Sequence, residues 1–428
     1  MYKNVIYLFV VIASFSCETE KSNNNVTHRM DDQGVVIATP YIWKTSLHHK
    51  KPASNGNLKF PIIYNDNILI PITNGEEGNF LALINTDDGK VLWRWRDLFS
   101  VTEYAEVTYY HQYKNLFTFQ NGGRSYCINM DNGQTHWKIM RDRSFDSRIN
   151  PFGQNYFMFG PISNNSDKVH EDITSFKGDI QSGTISEFLY PDFNYEFTDS
   201  WRGINFINQI PSNENLFVVS YFEDLEDYVK QPYFGLYDNN VKEWIWDKIL
   251  ITPPKRSNVI DWPPIIENNK IFAVVDNCIV CHDLETGRQL WKREFTNNFL
   301  FSGFILEENR LIANNEDCFT VCLDPDTGNE LWRVKTAGTS GRMSYLNGIV
   351  YFNGGSVNKL FAIEVNTGKI VWQINPKLIE EDYWAQFKSY NAAQFMYNAV
   401  YVIPAKDGQS SKVIALTGVY AYCFEAYR

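Results

Sequence analysis

Residues 362–372 read AIEVNTGKIVW. A short apolar stretch leads to an acidic residue, Asn-Thr-Gly makes a tight turn, and a second apolar run ends in Trp372. Side chains of the Asx and Thr type bond the nearby backbone in such a turn, and the glycine accepts a positive φ without steric cost. The same string returns as INTDDGKVLW (84–93), INMDNGQTHW (128–137), HDLETGRQLW (282–291) and LDPDTGNELW (323–332). Two weaker copies are FKGDIQSGTISEF (176–188), where Phe188 takes the tryptophan place, and LYDNNVKEWIW (236–246). Consecutive tryptophans such as Trp93 and Trp137, or Trp291, Trp332 and Trp372, stand 40 to 45 residues apart. That period is too long for a leucine-rich repeat and suits a blade of four strands. Runs such as NKIFAVVD, NGIVYFNG and NAVYVIPA supply the preceding strands, each entered through a polar turn.

One such hairpin cannot bury its own faces, so successive copies must stack. The two ends of the repeat are each incomplete. YIWKTSL (41–47) carries a Trp strand with no strand before it, whereas AYCFEA near residue 425 carries the strand before the turn and nothing after it. Joined, the halves make one composite blade, close the ring and remove its exposed edges. The expected fold is all-β: an eight-bladed β-propeller of four-stranded blades, closed by the N-terminal strand completing the last blade.

The chain has 428 residues, 44% of them hydrophobic and 16% aromatic, ample for a large core. Its formal net charge of −11 argues against nucleic acid as a partner, because phosphate would repel it. The first residues, MYKNVIYLFVVIASFSC, have one lysine, an apolar stretch from Val5 to Phe15, then Ser16 and Cys17, the layout of a secretory signal. The apolar stretch is too short to span a bilayer, which takes roughly twenty residues. A cysteine right after it resembles a bacterial lipoprotein signal, in which that residue is acylated. The expected division is therefore a signal peptide over 1–16, a lipidated Cys17 with a polar flexible tether over 17–40, and the propeller over 41–428. On this reading the protein is monomeric, sits in the bacterial cell envelope and touches the membrane through its lipid anchor, on the periplasmic or surface side of the outer membrane.

The repeat pattern, clearest in AIEVNTGKIVW, resembles that of the pyrroloquinoline-quinone (PQQ) dehydrogenase-like propellers, over about residues 41–428. The lipidated, eight-bladed, single-domain layout further resembles the lipoprotein B subunits of the outer-membrane β-barrel assembly machinery, a likeness of topology. The enzymes of this superfamily hold PQQ and Ca²⁺ in the central funnel, with a catalytic Asp and an adjacent Cys-Cys pair. This chain has no adjacent cysteines, so no cofactor is expected, with PQQ and Ca²⁺ as the alternative.

A second motif points elsewhere. CIVCH (278–282) has the form of a c-type haem attachment signature. Within the repeat, however, Cys281 stands six residues before the turn glycine, as do Cys127, Cys322 and Ala362, a slot for small buried residues. In an extended strand Cys278 and Cys281 face opposite sides and cannot reach one porphyrin face. No haem is expected.

The connectors between blades and the middle hairpin loops share one face of a propeller, and loops on rigid scaffolds carry binding. They hold Arg148, Trp201, Arg202, Arg256 and Arg342, the candidate partner- or ligand-binding residues. The alternatives that remain open are a non-catalytic binding scaffold with an envelope protein partner, possible in outer-membrane protein assembly, a PQQ- and Ca-dependent dehydrogenase, and a propeller that binds a small molecule or glycan. Other candidates have a plainer reading: EDLEDY (223–228) as a solvated acidic hairpin, and His48 and His49 as an exposed loop.

Overall fold

The computed structural model describes residues 19–21, 26–46, 62–74, 78–100, 109–121, 123–141, 148–161, 173–189, 202–225, 229–256, 262–295, 301–338, 340–379, 399–417 and 420–428, with the single residues 103, 107, 260 and 395. Eight antiparallel blades follow one another around a ring. Blades one to seven span residues 62–95, 110–140, 149–189, 202–250, 265–294, 301–335 and 344–374. Blade eight takes Tyr401–Ile403, Lys412–Leu416 and Tyr420–Glu425 from one end of the chain and Trp43–Ser46 from the other. Trp43 pairs with Cys423 and Ser46 with Tyr420, so the composite blade closes the ring as the sequence implied.

In blade five the two middle strands, Lys270–Val275 and Cys278–Asp283, are buried along almost their whole length, while the outermost strand Gln289–Glu294 alternates between exposed and half-buried. That is why the inner strands read as continuous apolar runs and the outer ones as alternating.

The repeat tryptophans join neighbouring blades. Each ring N–H donates to a backbone carbonyl in the turn of the next blade: Trp43 to Thr86 (2.9 Å), Trp93 to Met130 (2.9 Å), Trp137 to Ile180 (2.8 Å), Trp246 to Leu284 (3.2 Å), Trp291 to Pro325 (3.0 Å) and Trp332 to Val365 (2.8 Å). The turn glycine lies flat beneath the indole. Gly328 and Gly368 both have φ of 71°, and a Cβ at either would come within 2.7 Å of the Trp291 or Trp332 ring. Glycine is thus required twice over, by the turn and by the neighbour's ring.

Two seams depart from this. Between blades three and four Phe188 replaces the tryptophan, and the glycine place of the next turn is Lys242 at φ 59°. That seam is filled by rings instead, with Phe188 4.5 Å from Phe157 and 6.4 Å from Tyr237, and the two sheets meet through a parallel bridge from Ile173 to Gly203. Between blades seven and eight Trp372 packs edge-on to Tyr351 and Phe424, because the composite blade has no turn at that place.

Residues 26–40, expected to be flexible tether, are instead docked on the propeller. Val36 pairs in parallel with Trp372 of blade seven, and Val35, Val36 and Ala38 are buried. Thr19–Lys21 pairs with Trp43–Thr45. The polar composition hid the small apolar side chains and backbone bonds that join the segment to an open strand edge. Cys17 and the segment 1–16 lie outside the described residues, and so do His48 and His49. Among the described residues no helix is long and apolar enough to cross a membrane.

Candidate functional site

The CIVCH motif is a buried strand. Cys278, Ile279, Val280, Cys281 and His282 all lie within Cys278–Asp283. Cys278 packs in a cluster with Ile271 and Val280, whereas Cys281 packs with Phe272 and Leu311. The two thiols serve different seams, on opposite sides of one sheet. Burial pushes the Cys281 thiol up to about 12 and raises that of Cys278. His282 stands where Leu323 and Ile363 stand in their blades. Its Nδ1 lies 2.9 Å from the Gly287 carbonyl and its ring meets Phe234 edge-on at 5.3 Å. Burial lowers its pKa, so it is a neutral ring that ties the strand to its own turn.

The loop face of blade four gathers three of the candidate arginines. Its central hairpin, Asn213–Leu225 and Val229–Asp238, runs well beyond the usual strand length. Near the tip Arg202 pairs with Glu223 on one flank and Arg256 pairs with Val229 on the other. Counting strands at about 4.8 Å each, the two backbones stand roughly 15 Å apart. Arg148 reaches the same end from blade three, donating from Nη1 to the carbonyl and the side-chain oxygen of Asn205 at 3.2 Å each. Its guanidinium also lies 5.7 Å from the Phe159 ring and 5.8 Å from Phe206, so it ties blade three to blade four. Trp201 and the side chains of Arg202 and Arg256 fall outside the described residues. Neighbouring Lys255 binds the loop of blade five, with Nζ 3.6 Å from Asp276, 3.7 Å from Glu294 and 3.3 Å from Asn277 Oδ1.

Arg342 stands apart from these three. Its guanidinium sits 4.9 Å over the Trp262 ring, and it interacts electrostatically with Tyr109 and Tyr110. Those residues enter blades five and two, whereas Arg342 enters blade seven. Blades two, five and seven are not neighbours, so their entering segments can meet only at the propeller axis. Arg342 is therefore an axial residue, not part of a rim with the other arginines. Burial pulls its guanidinium down to about 9. Beside it lies a polar cluster between blades six and seven: Ser302 and Ser340 hydroxyls 3.0 Å apart, Ser302 donating to Asn314 Oδ1 at 3.0 Å, and Asn314 Nδ2 donating to Ala337 O at 2.8 Å. The sequence reading missed Trp262, Tyr109 and Tyr110. Their signal was an aromatic residue just before or at the start of a blade's first strand, the position that faces the axis.

This axial group brings a guanidinium, aromatic faces and hydroxyls together. Among the described residues no three His, Cys, Asp or Glu converge to hold a metal ion.

Residues 318–378 match the family model described as "Outer membrane protein assembly factor BamB". The match lies in blades six and seven, and the chain as a whole is a β-propeller that resembles those built of PQQ-like repeats. Among solved structures, BamB from Moraxella catarrhalis is 13% identical over 87% of this chain and 98% of its own, with a TM-score of 0.51. A europium-containing methanol dehydrogenase is 10% identical over 88% of this chain and 84% of its own, with a TM-score of 0.56. Sqt1 of Saccharomyces cerevisiae is 9% identical over 88% and 97%, with a TM-score of 0.58. At such identities the likeness is one of fold, shared by proteins as different as an assembly factor and a dehydrogenase. No curated protein matches the chain in sequence.

Proposed function

We propose that this propeller is a non-catalytic binding scaffold of the bacterial envelope, acylated at Cys17, monomeric as a ring, and engaged with an envelope protein in outer-membrane protein assembly. The observation that supports it most is the match of residues 318–378 to a family described by that role. Two binding regions fit the reading: the blade-four end carrying Arg148, Arg202 and Arg256, with Trp201 next to Arg202 in sequence, and the axial Arg342 with Trp262. Arginine and aromatic rings are the side chains that dominate protein interfaces.

Affinity capture of the tagged full-length protein from solubilised envelopes, followed by mass spectrometry, tests the reading. Recovery of a barrel-assembly protein supports it, and a lone monomer overturns it. Arg342 sharpens the test. Arg342→Met is expected to weaken partner capture while the protein still folds, read by capture yield beside Tm.

The likeness to a methanol dehydrogenase motivates one further check. Purified protein mixed with PQQ and Ca²⁺ is expected to give neither quinone absorbance nor dye-linked alcohol oxidation, and either signal would favour the enzyme reading.

A further inference from the structure

We propose that the bilayer meets this protein along the outer rim of blades seven and eight, holding the propeller edge-on with both of its faces open sideways. The inference rests on the acylation of Cys17 proposed above. The segment after Cys17 is stitched to that rim. Thr19–Lys21 adds a strand to blade eight, in register Thr19 with Thr45 and Lys21 with Trp43. From Val26 the chain lies on blade seven. Arg29 donates to the Leu378 carbonyl, Asn375 N donates to the Ile37 carbonyl at 3.1 Å, and Val36 pairs with Trp372. Asp31 Oδ1 accepts from the backbone N–H of Gln33 and of Val35, closing the turn between the two short strands.

Cys17 precedes Thr19 by two residues, so its acyl chains start within about 7 Å of chain from the edge of blade eight. Residues 17–40 as a free coil would instead leave the propeller at an average of about 25–30 Å. The difference separates a fixed attitude from free tumbling. Met30, 57% exposed at the turn of the docked segment, is a large apolar side chain offered on this rim.

The test uses the full acylated protein in vesicles of phosphatidylethanolamine and phosphatidylglycerol with a spin-labelled headgroup as quencher. Cys318, the half-exposed thiol among otherwise buried described cysteines, is replaced by Cys318→Ser. A thiol-reactive fluorophore is then placed at Met30→Cys or at Ile245→Cys, an exposed position on the outer strand of blade four across the ring. Quenching several-fold stronger at position 30 than at 245, lost when a Gly-Ser spacer is inserted between Cys17 and Thr19, supports the edge-on attitude. Equal quenching at the two positions in protein whose intact mass carries the acyl chains overturns it and leaves the lipoprotein reading standing. An intact mass without acyl chains overturns both.

Discussion

The seam between blades six and seven and the seam between blades three and four solve one problem in two ways. In the first, the Trp332 indole lies on Gly368 and donates to the Val365 carbonyl at 2.8 Å. In the second, Phe188 has no N–H to donate, and the turn it faces carries Lys242 where the glycine would be. The two departures occur together across one seam. Tryptophan and glycine are thus one device split between neighbouring blades: the large flat ring requires a residue without Cβ beneath it, and without that ring an ordinary side chain is tolerated even at positive φ.

The largest effect should come from breaking a complete device. Trp332→Ala removes a half-buried ring and its hydrogen bond and should cost about 3–5 kcal/mol by denaturant unfolding. Gly368→Ala places a Cβ within 2.7 Å of the same ring and should also destabilise. In a double-mutant cycle the two losses should fall short of additive by about 1–3 kcal/mol, since removing the ring relieves the clash. Strict additivity would mean that the two residues act independently and would break the comparison.

Stapled seams also differ in what else they bury. Between blades two and three, His111 is only 2% exposed and its ring lies 6.1 Å from Tyr156. Burial pulls its pKa down to about 4, with the Gly153 backbone acting against it. The folded ring stays neutral while the unfolded one protonates below its ordinary value of about 6.5, so stability is full above that pH and drains as pH falls toward about 4. A depression of that size corresponds to about 3 kcal/mol. Denaturation midpoints of the wild type should therefore fall steeply between pH 6.5 and 4, and His111→Phe should flatten that limb. An unchanged limb would place the acid sensitivity elsewhere.

Much of this was legible because the repeat carries its own register. AIEVNTGKIVW and its copies fixed the period, the turn and the closure by YIWKTSL, since each depends on local spacing and on edges that must be paired. The slot shared by Cys281 and Cys322 turned a haem motif into a buried strand by the same logic. What stayed hidden depends on contacts between distant blades. Nothing local says that Arg342 meets Trp262 and Tyr109 at the axis while Arg148 is held by Asn205, because ring closure sets those neighbours. The docking of segment 26–40 is hidden for a related reason: its polar composition is that of a tether, and the edge that receives it belongs to residues more than three hundred positions away, with Val36 paired to Trp372.

The smallest effect is also the sharpest. A non-glycine residue held in the left-handed region carries a backbone cost of roughly 1–2 kcal/mol, so Lys242→Gly should stabilise the protein by about 1 kcal/mol, opposite in sign to Gly368→Ala. Phe188→Trp alone sets a larger ring against the Cβ of Lys242 and should destabilise. Combined with Lys242→Gly, the same substitution rebuilds the arrangement of the other seams and should become neutral or favourable. If Phe188→Trp is equally costly beside lysine and beside glycine, the pairing of these two residues is coincidence, and the seam between blades three and four is governed instead by the Phe157, Phe217 and Tyr237 rings around it.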